Sequence, residues 1–333
     1  MNKKKFAAQL FSNPSLKNIK LRRMHKHGPV LRIVNFHRVM ATQPLADDYR
    51  NAANQPTIGQ FENLMAFFSK NYNLVDLEEY FIKGNSILST EQVNVGVTFD
   101  DGYKDILENA APICAKYNIP VTIFCTTHSL DSIPLWFQRI YTGIDNWKSS
   151  YLEVPWLGQK IDMGNRWIAM ETIANSLKEF SYEDAESKIS SLFPNQSNSA
   201  KEEMMDWDDL RKLSEYSNVR IGAHSRVHWN LTRFNDDELN RELTEPLFRI
   251  REFLNIDNVM IAYPNGKYDE KVLRQTEKAG YLGGFIMNRG HNSPKTDKFA
   301  MHREYVEMDP LICDFQLHNF DIMFNRLLGR DLP

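Results

Sequence analysis

Long apolar runs and cysteine are both scarce in this chain of 333 residues. No apolar run approaches the roughly 20 residues that a membrane-spanning helix needs. The three cysteines, Cys114, Cys125 and Cys313, are odd in number and lack metal-binding spacing. They predict reduced, buried thiols in a reducing compartment. The N-terminus also lacks the apolar segment and cleavage site of a secretory signal, so we expect a cytoplasmic protein.

Acidic residues are missing from the first 46 residues, which hold ten Lys and Arg. The remaining 287 residues carry 30 Lys and Arg against 43 Asp and Glu, a net charge of −13. Residues 1–26 could therefore touch an anionic membrane surface from the inner face, although a solvated extension is the simpler interpretation. The acidic body and the lack of a basic-aromatic pattern argue against nucleic acid. We divide the chain into a basic extension, 1–28, and a domain, 29–333.

Strand-like apolar runs alternate along the chain with amphipathic segments of helical period. The runs lie at 30–36, 93–99, 120–125, 219–223, 259–263, 283–287 and 303–306. The helical segments lie at 57–70, with Thr57 as a possible N-cap, and at 104–117, 206–216, 235–255 and 269–280. This alternation predicts an α/β protein with a parallel sheet and outer helices. About seven such units indicate a barrel of the TIM type.

Residues 130–205 interrupt this alternation and contain four of the six tryptophans. Within them, residues 151–163 predict a hairpin that turns at Leu157-Gly158, and 166–178 and 181–193 predict helices. We interpret the segment as a mixed hairpin and helical insertion into the barrel. It could form a lid or substrate wall, or only a packing buttress.

Polar side chains follow several of the predicted strands. Asp100 and Asp101 come directly after VGVTF, and His224 follows VRIGA with His228 four residues on. His37 follows VLRIVNF. In barrels of this type the chemistry lies where strands end. Two imidazoles and a carboxylate from another strand suit a divalent metal, and a second, free carboxylate could act as a base.

Each of these features has an ordinary alternative. One pair of histidines can arise by chance, adjacent aspartates often form a turn or a helix cap, and His37 alone could be a core histidine. Their joint position at predicted strand ends favours a hydrolytic metal site.

Four short stretches resemble motifs of the polysaccharide deacetylase family, carbohydrate esterase family four. Residues 98–102 (TFDDG) are similar to its first motif, and 222–228 (GAHSRVH) to its second. Residues 262–266 (AYPNG) resemble a variant of its third, and 206–210 (DWDDL) resemble its approach to the second. The likeness covers roughly 30–128 and 204–306 and implies a distorted (β/α)7 barrel.

The resemblance also implies roles for the first two motifs. Asp101, His224 and His228 would bind the metal, with zinc as the first choice and cobalt or nickel as alternatives. Asp100 would be the general base, and an activated water would attack an N-acetyl carbonyl.

The remaining roles follow from a permuted subgroup that begins with a strand ending in histidine. There His37 would protonate the leaving amine, with His318 as the lesser candidate. The backbone N–H of Asn265 would hold the oxyanion. Ala262 stands where many relatives carry an arginine that orients the base. Arg303 resembles a basic residue of the permuted subgroup and could orient Asp100 or pair with a surface acid.

The activity implied is a metal-dependent hydrolase that removes the N-acetyl group from an amino sugar. A glycan precursor, lipid-linked or nucleotide-linked, is the expected substrate, because no export signal is predicted. Two alternatives stay open: hydrolysis of another amide (a formamide or a cyclic amide), and a catalytically silent carbohydrate-binding barrel.

Overall fold

An eight-stranded parallel sheet forms the wall of a barrel in the computed structural model, which describes residues 3–42, 55–194, 203–319 and 322. The strands of this sheet and of a separate hairpin are β1 (Leu31–Phe36), β2 (Asn73–Leu74), β3 (Asn94–Phe99), β4 (Val121–Cys125), β5 (Tyr151–Val154), β6 (Gln159–Asp162), β7 (Val219–Ala223), β8 (Ile261–Ala262), β9 (Gly284–Met287) and β10 (Met301–Arg303). Seven strands follow the order β1-β3-β4-β7-β8-β9-β10, while β2 pairs only with β3.

The barrel closes between its first and last strands. The N–H of Asn35 on β1 donates to the carbonyl of Glu304, and the N–H of Glu304 donates to the carbonyl of Ile33, both at 2.9 Å. Glu304 directly follows β10, so these two bonds complete the ring of seven parallel strands. The prediction of a distorted (β/α)7 barrel is confirmed.

Helices fill the connections between the strands. They are α1 (Lys3–Leu10), α2 (Pro14–Met24), α3 (Ile58–Asn71), α4 (Leu77–Lys83), α5 (Ala111–Lys116), α6 (Thr127–Leu130), α7 (Trp136–Asp145), α8 (Arg166–Leu177), α9 (Tyr182–Leu192), α10 (Trp207–Ser214), α11 (Asp236–Leu254), α12 (Glu270–Ala279) and α13 (Pro310–Leu317). A π-helical turn, Ile106–Ala110, leads into α5.

Local sequence explains where several helices begin. Thr57 caps α3 as predicted: it accepts from the N–H of Gln60, whose side chain accepts from the N–H of Thr57. Asn235 and Glu238 form the same reciprocal pair at the start of α11. The predicted last strand, 303–306, is instead β10 (Met301–Arg303), which pairs with β9, and the backbone of Glu304 just beyond it pairs with β1.

The barrel strands are buried on both faces. Every residue of β1, β3 and β4 is buried, as expected for parallel strands covered by helices. One apolar cluster lies inside the barrel below the site and includes Ile33, Phe124 and Phe285. A larger cluster joins the outer strand faces to the helices and extends into residues 130–193.

The predicted insertion contains the hairpin and both helices that its sequence indicates. β5 and β6 pair antiparallel, and Gly158 occupies the turn with a φ of 62°. Helices α8 and α9 lie at the predicted places, and α7, which was not predicted, packs against both. Residues 195–202 of the insertion lie outside the described residues, and its boundaries stay a prediction.

The basic extension is folded. Helix α1 packs Ala7 and Ala8 against Ile312 and Phe315. Its lysines Lys4 and Lys5 pair with acids that follow β10. A merely solvated extension is therefore wrong for residues 3–24. Within the described ranges, no helix combines the length and apolar character needed to cross a bilayer.

Candidate active site

The two adjacent aspartates at the end of β3 point to different partners. The chain turns sharply here, since Asp101 and Gly102 have left-handed φ values of 72° and 86°. Gly102 is required, because a Cβ at this position would lie 3.2 Å from the Cys125 sulfur as well as being strained by its φ. The turn separates two like charges that would otherwise repel each other.

Asp100 is held by a buried arginine and an amide. Arg303 donates from Nη1 to Oδ1 at 2.7 Å and from Nη2 to Oδ2 at 2.9 Å, a bidentate geometry. Asn35 Nδ2 donates to Oδ2 at 2.9 Å, and its Oδ1 accepts from Arg303. Burial raises the pKa of Asp100, but Arg303, followed by His224, outweighs it and holds this pKa below its ordinary value. Asp100 is therefore an ionised, fixed carboxylate.

Asp101 faces two histidines instead. Its Oδ1 lies 3.4 Å from Nε2 of His224 and 3.1 Å from Nε2 of His228. All three side chains are buried, and their ligand atoms lie within 4.8 Å of one another. Burial raises the pKa of Asp101, but the imidazoles, His228 foremost, hold it well below its ordinary value.

These three groups fit a divalent metal. His224 Nδ1 lies 2.8 Å from the carbonyl of Ala262, so this nitrogen carries the proton and Nε2 keeps its lone pair. Asp101 Oδ1 is buried and accepts no well-formed hydrogen bond from the described residues. Lone pairs that converge on one point repel each other unless a cation lies between them. One carboxylate oxygen and two imidazole nitrogens are a ligand set that zinc and its neighbours accept.

Residues 224–228, which carry both histidines, form a loop that we call the histidine loop. A side chain of α11 holds this loop in place. Glu242, 1% exposed, accepts the backbone N–H groups of Arg226 and Val227 on Oε2, both at 3.1 Å. Its Oε1 accepts from Arg226 Nε at 2.9 Å. Within the loop, the N–H of His228 donates to Ser225 Oγ at 3.1 Å. These bonds fix a backbone in which His228 has a left-handed φ of 57°.

The other predicted site residues divide into two groups. His37 and Asn265 line the same cavity as the aspartates and histidines. His37 lies beside Tyr305, with ring centroids 5.8 Å apart, and Asn265 has a left-handed φ of 56°. His318 lies elsewhere, at the end of α13, where its Nδ1 is 3.2 Å from Asp314 Oδ1. It does not line the cavity.

The cavity has a volume of about 560 Å³, and the insertion supplies one of its walls. Helix α7 contributes Trp136, Phe137 and Tyr141, and α8 contributes residues from Trp167 onward. Trp136 Nε1 donates to the carbonyl of His228 at 2.8 Å. The insertion is therefore in direct contact with the loop that carries His224 and His228 and is not a remote buttress.

Several residues of the site were missed by sequence reasoning. Asn35 left a signal, because it is a polar residue within an apolar strand and two positions before His37. Lys178 and Lys267 line the cavity, and Glu242 and Trp136 support the histidine loop. These four lie on helices or loops where polar and aromatic residues are ordinary, so nothing local marked them.

Comparisons with known proteins show which sequence family the barrel resembles. The sequence model of a family described as polysaccharide deacetylase matches residues 88–145 and 185–284. A Bacillus subtilis protein named as a polysaccharide deacetylase, YxkH, is 23% identical over 99 residues, which are 30% of this chain and 35% of that protein. The match thus spans about a third of this relative.

Solved structures share the fold. Streptococcus pyogenes deacetylase PplD, solved with acetate, has a TM-score of 0.58 and 16% identity, over 84% of this chain and 94% of that one. IcaB from Ammonifex degensii has a TM-score of 0.55 and 15% identity, over 87% and 97% of the two chains. A de-N-acetylase from Aggregatibacter actinomycetemcomitans has a TM-score of 0.53 and 13% identity, over 84% and 96%.

Proposed function

Because the chain belongs to the polysaccharide deacetylase family, we propose that it is a metal-dependent hydrolase that removes the N-acetyl group from an amino sugar of a glycan or glycan precursor. The observation that carries this proposal is that the two adjacent aspartates at the end of β3 have different partners. Asp101 faces His224 and His228, while Asp100 faces Arg303 and Asn35. One carboxylate can ligate a metal while the other stays free to take a proton.

The proposed metal ligands are Asp101, His224 and His228, with zinc as the first choice and cobalt or nickel as alternatives. A metal bound there would act as a Lewis acid on the amide carbonyl and on the attacking water. The contact of His224 Nδ1 with the Ala262 carbonyl keeps Nε2 directed at the metal position.

Asp100 is the proposed general base. Its bidentate contact with Arg303 fixes the direction of both carboxylate oxygens before substrate arrives. It also keeps Asp100 ionised at neutral pH, which a proton acceptor requires. Arg303 is thus a positioning residue, the role that Ala262 cannot fill at the corresponding place in the third motif.

His37 and Asn265 complete the proposed machinery. His37 lines the cavity beside the two aspartates, where its ring would protonate the leaving amine. The turn at Asn265 projects into the same cavity, where its backbone N–H would bind the developing oxyanion. The permuted family subgroup, which led to His37, stays a prediction.

The walls of the cavity suggest the substrate class. Tyr141 and Trp167, which line the cavity and are only half-buried, are aromatic side chains on which a sugar ring can stack. Lys178 and Lys267 line the same cavity and are the cationic groups that a phosphate-bearing carrier would require. We therefore favour a precursor that is nucleotide-linked or polyprenyl-linked over an unsubstituted polymer.

The experiment is acetate release from N-acetylhexosamines that are free, nucleotide-linked or polyprenyl-linked, with and without a chelator. We expect chelator-sensitive release, fastest from a phosphate-bearing carrier. Asp100→Asn should lower turnover by about 100-fold or more, because a positioned base contributes 10²–10⁴ in rate. Its metal content, measured by atomic emission, should stay that of the wild type, because Asp100 does not face the metal position.

The matched control is Asp208→Asn, which alters an exposed aspartate of α10. Full activity of Asp100→Asn would exclude its assignment as the base. Tight binding of these sugars without acetate release, with metal bound, would favour the carbohydrate-binding alternative. Formate release or ring opening of a cyclic amide would favour another amide hydrolase.

A further inference from the structure

Helices α1 and α2 expose a set of large apolar side chains. Phe6 and Leu10 on α1 are 48% and 58% exposed, and Leu16 and Ile19 on α2 are 40% and 51% exposed. Residues three or four apart lie on one face of a helix. Each helix therefore presents one apolar pair to its surroundings, within a segment of only 22 residues.

The opposite sides of these helices are already satisfied by the body of the protein. Ala7 and Ala8 are buried against α13. Three lysines of the segment pair with acids near α13: Lys4 with Glu307 at 2.6 Å, Lys5 with Asp309 at 2.7 Å and Lys17 with Asp314 at 2.5 Å. These contacts fix α1 and α2 on the body and leave the apolar pairs on the outside.

The outer side also carries positive charge. Arg22 and Arg23 form the last turn of α2 and are exposed, as is Lys26 just beyond it. No acidic residue occurs before residue 47, whereas the rest of the chain has a net charge of −13. A partner that matches this surface must combine negative charge with an apolar layer.

We infer that this N-terminal surface, formed by Phe6, Leu10, Leu16, Ile19, Arg22 and Arg23, binds the surface of an anionic lipid bilayer. Helices that lie in the membrane plane place exposed apolar side chains at the boundary between headgroups and acyl chains. Basic residues near the surface add attraction to anionic lipids. Anionic lipids attract the basic N-terminal surface and repel the acidic remainder of the protein. The bound protein should therefore take one orientation on the membrane.

Helix α1 is attached close to the rim of the cavity, whereas α2 leads to the start of β1 at the other end of the barrel. Lys4 contacts Glu307, two residues after Tyr305, which lines the cavity. Both follow β10, at the end of the barrel where the candidate site lies. The inference itself concerns binding and does not depend on the reaction.

The test is sedimentation of the full-length protein with vesicles of phosphatidylcholine alone or mixed with phosphatidylglycerol, at low and high salt. We expect binding to the mixed vesicles that weakens at high salt. Two variants probe the surface: one replaces Phe6, Leu10, Leu16 and Ile19 by Ser, and the other is Arg22→Glu/Arg23→Glu. Each should lower partitioning by at least about tenfold, because apolar burial and each basic residue contribute to interfacial binding.

Matched controls lie elsewhere on the surface. Phe248→Ser changes a side chain that is 63% exposed on α11, and Arg274→Glu/Lys278→Glu reverses two exposed charges on α12. Both should bind as the wild type does, and circular dichroism should show that all variants fold. Equal binding to neutral vesicles, no binding, or wild-type binding by both surface variants would overturn the inference. Self-association through these residues in lipid-free solution, without vesicle binding, would assign the surface to a second copy.

Discussion

At the residue scale, Arg303 decides what Asp100 can do. Arg303 is 1% exposed, and its guanidinium lies over the neighbouring rings of Phe124 and Phe285, 5.4 and 5.9 Å from their centroids. A buried charge in such surroundings is stable only with its counter-charge. Arg303 and Asp100 therefore support each other, and neither can be removed without cost to the other.

Replacing Arg303 tests this dependence. In Arg303→Met, Asp100 is left buried without its cation, so we expect the free energy of unfolding to fall by about 3–5 kcal/mol. Turnover should fall by about 100-fold in the fraction that stays folded, because Asp100, the proposed base, loses its orientation. Urea unfolding and single-substrate kinetics measure the two effects.

The matched control is Arg274→Met, which removes an exposed arginine 3.5 Å from Glu270 on α12. It should change stability by less than about 1 kcal/mol. Arg303→Met with wild-type turnover would exclude the positioning role.

His128 links stability to pH. Burial, and then the charge of Arg226, lower the pKa of His128 to about 4, and its Nε2 lies 2.8 Å from Arg226 Nη1. The neutral ring is thus the folded form, whereas the unfolded chain takes up a proton near pH 6.5. This contribution is complete above pH 6.5 and is lost as the pH falls towards 4.

We therefore expect His128→Gln to weaken the loss of stability between pH 6.5 and about 4, by at most about 1.4 kcal/mol per pH unit. Urea unfolding in chelator, at several pH values, measures it without a contribution from metal release. His27→Gln, at an exposed histidine, is the control. Parallel pH profiles for the wild type and His128→Gln would contradict the assignment.

At the element scale, α11 controls the histidine loop through one side chain. Glu242 replaces three solvent hydrogen bonds of the loop with bonds to a carboxylate that is itself buried. The loop needs this support because Ser225 and His228 have left-handed φ values of 60° and 57°. Glu242 is therefore a positioning residue for two of the proposed metal ligands.

Glu242→Gln keeps the shape of the side chain but places an NH₂ where only acceptors fit. We expect metal affinity to fall by about 10–100-fold, the usual effect of losing a group that orients the ligands. Competition with a chromogenic chelator measures this without reference to activity.

Glu245→Gln, three residues along α11 and 3.8 Å from Arg226, is the matched control and should keep wild-type affinity. If Glu242→Gln lowered thermal stability but bound metal normally, its role would be packing alone.

The elements also show what sequence can and cannot predict here. The ends of β3 and β7 were predictable, because short apolar runs stop directly before Asp100 and His224. Helix α7 was missed, because in the sequence its apolar residues look like one of several tryptophan clusters. Its role also depends on a contact with His228, which is 92 residues away. Glu242 was missed for the same reason: on a helix rich in charge, only the tertiary contact distinguishes it from its exposed neighbours.

At the scale of the whole molecule, the barrel depends on the place where its first strand, β1, meets the end of its last strand, β10. We call this place the seam. Beside the two backbone bonds between β1 and Glu304, the Glu304 carboxylate pairs with Arg32 and with Arg289, the latter at 3.0 Å. Glu304 and Arg32 are 4% and 1% exposed. The seam between the first and last strands thus has few backbone bonds. A mostly buried cluster of charged side chains, Arg32, Glu304 and Arg289, adds to them.

Glu304→Gln leaves the buried Arg32 without its counter-charge, and we expect it to lower the free energy of unfolding by about 3–5 kcal/mol. Glu307→Gln, which removes a surface pair with Lys4, should cost less than about 1 kcal/mol. Urea titration of both, with hydrogen exchange of β1 and β10, measures the difference. Equal stability of the two variants would show that the backbone bonds alone hold the seam.

At the residues with left-handed φ that line the cavity, the requirements of stability and of function conflict. Asp101, His228 and Asn265, with φ values of 72°, 57° and 56°, occupy a backbone region that disfavours every L residue. Glycine at any of them would relax the chain, but at Asp101 or His228 it would also remove a proposed metal ligand. Directed evolution for heat resistance alone would therefore drift towards folded, inert barrels. A library built on this chain has to be sorted for hydrolysis at every round.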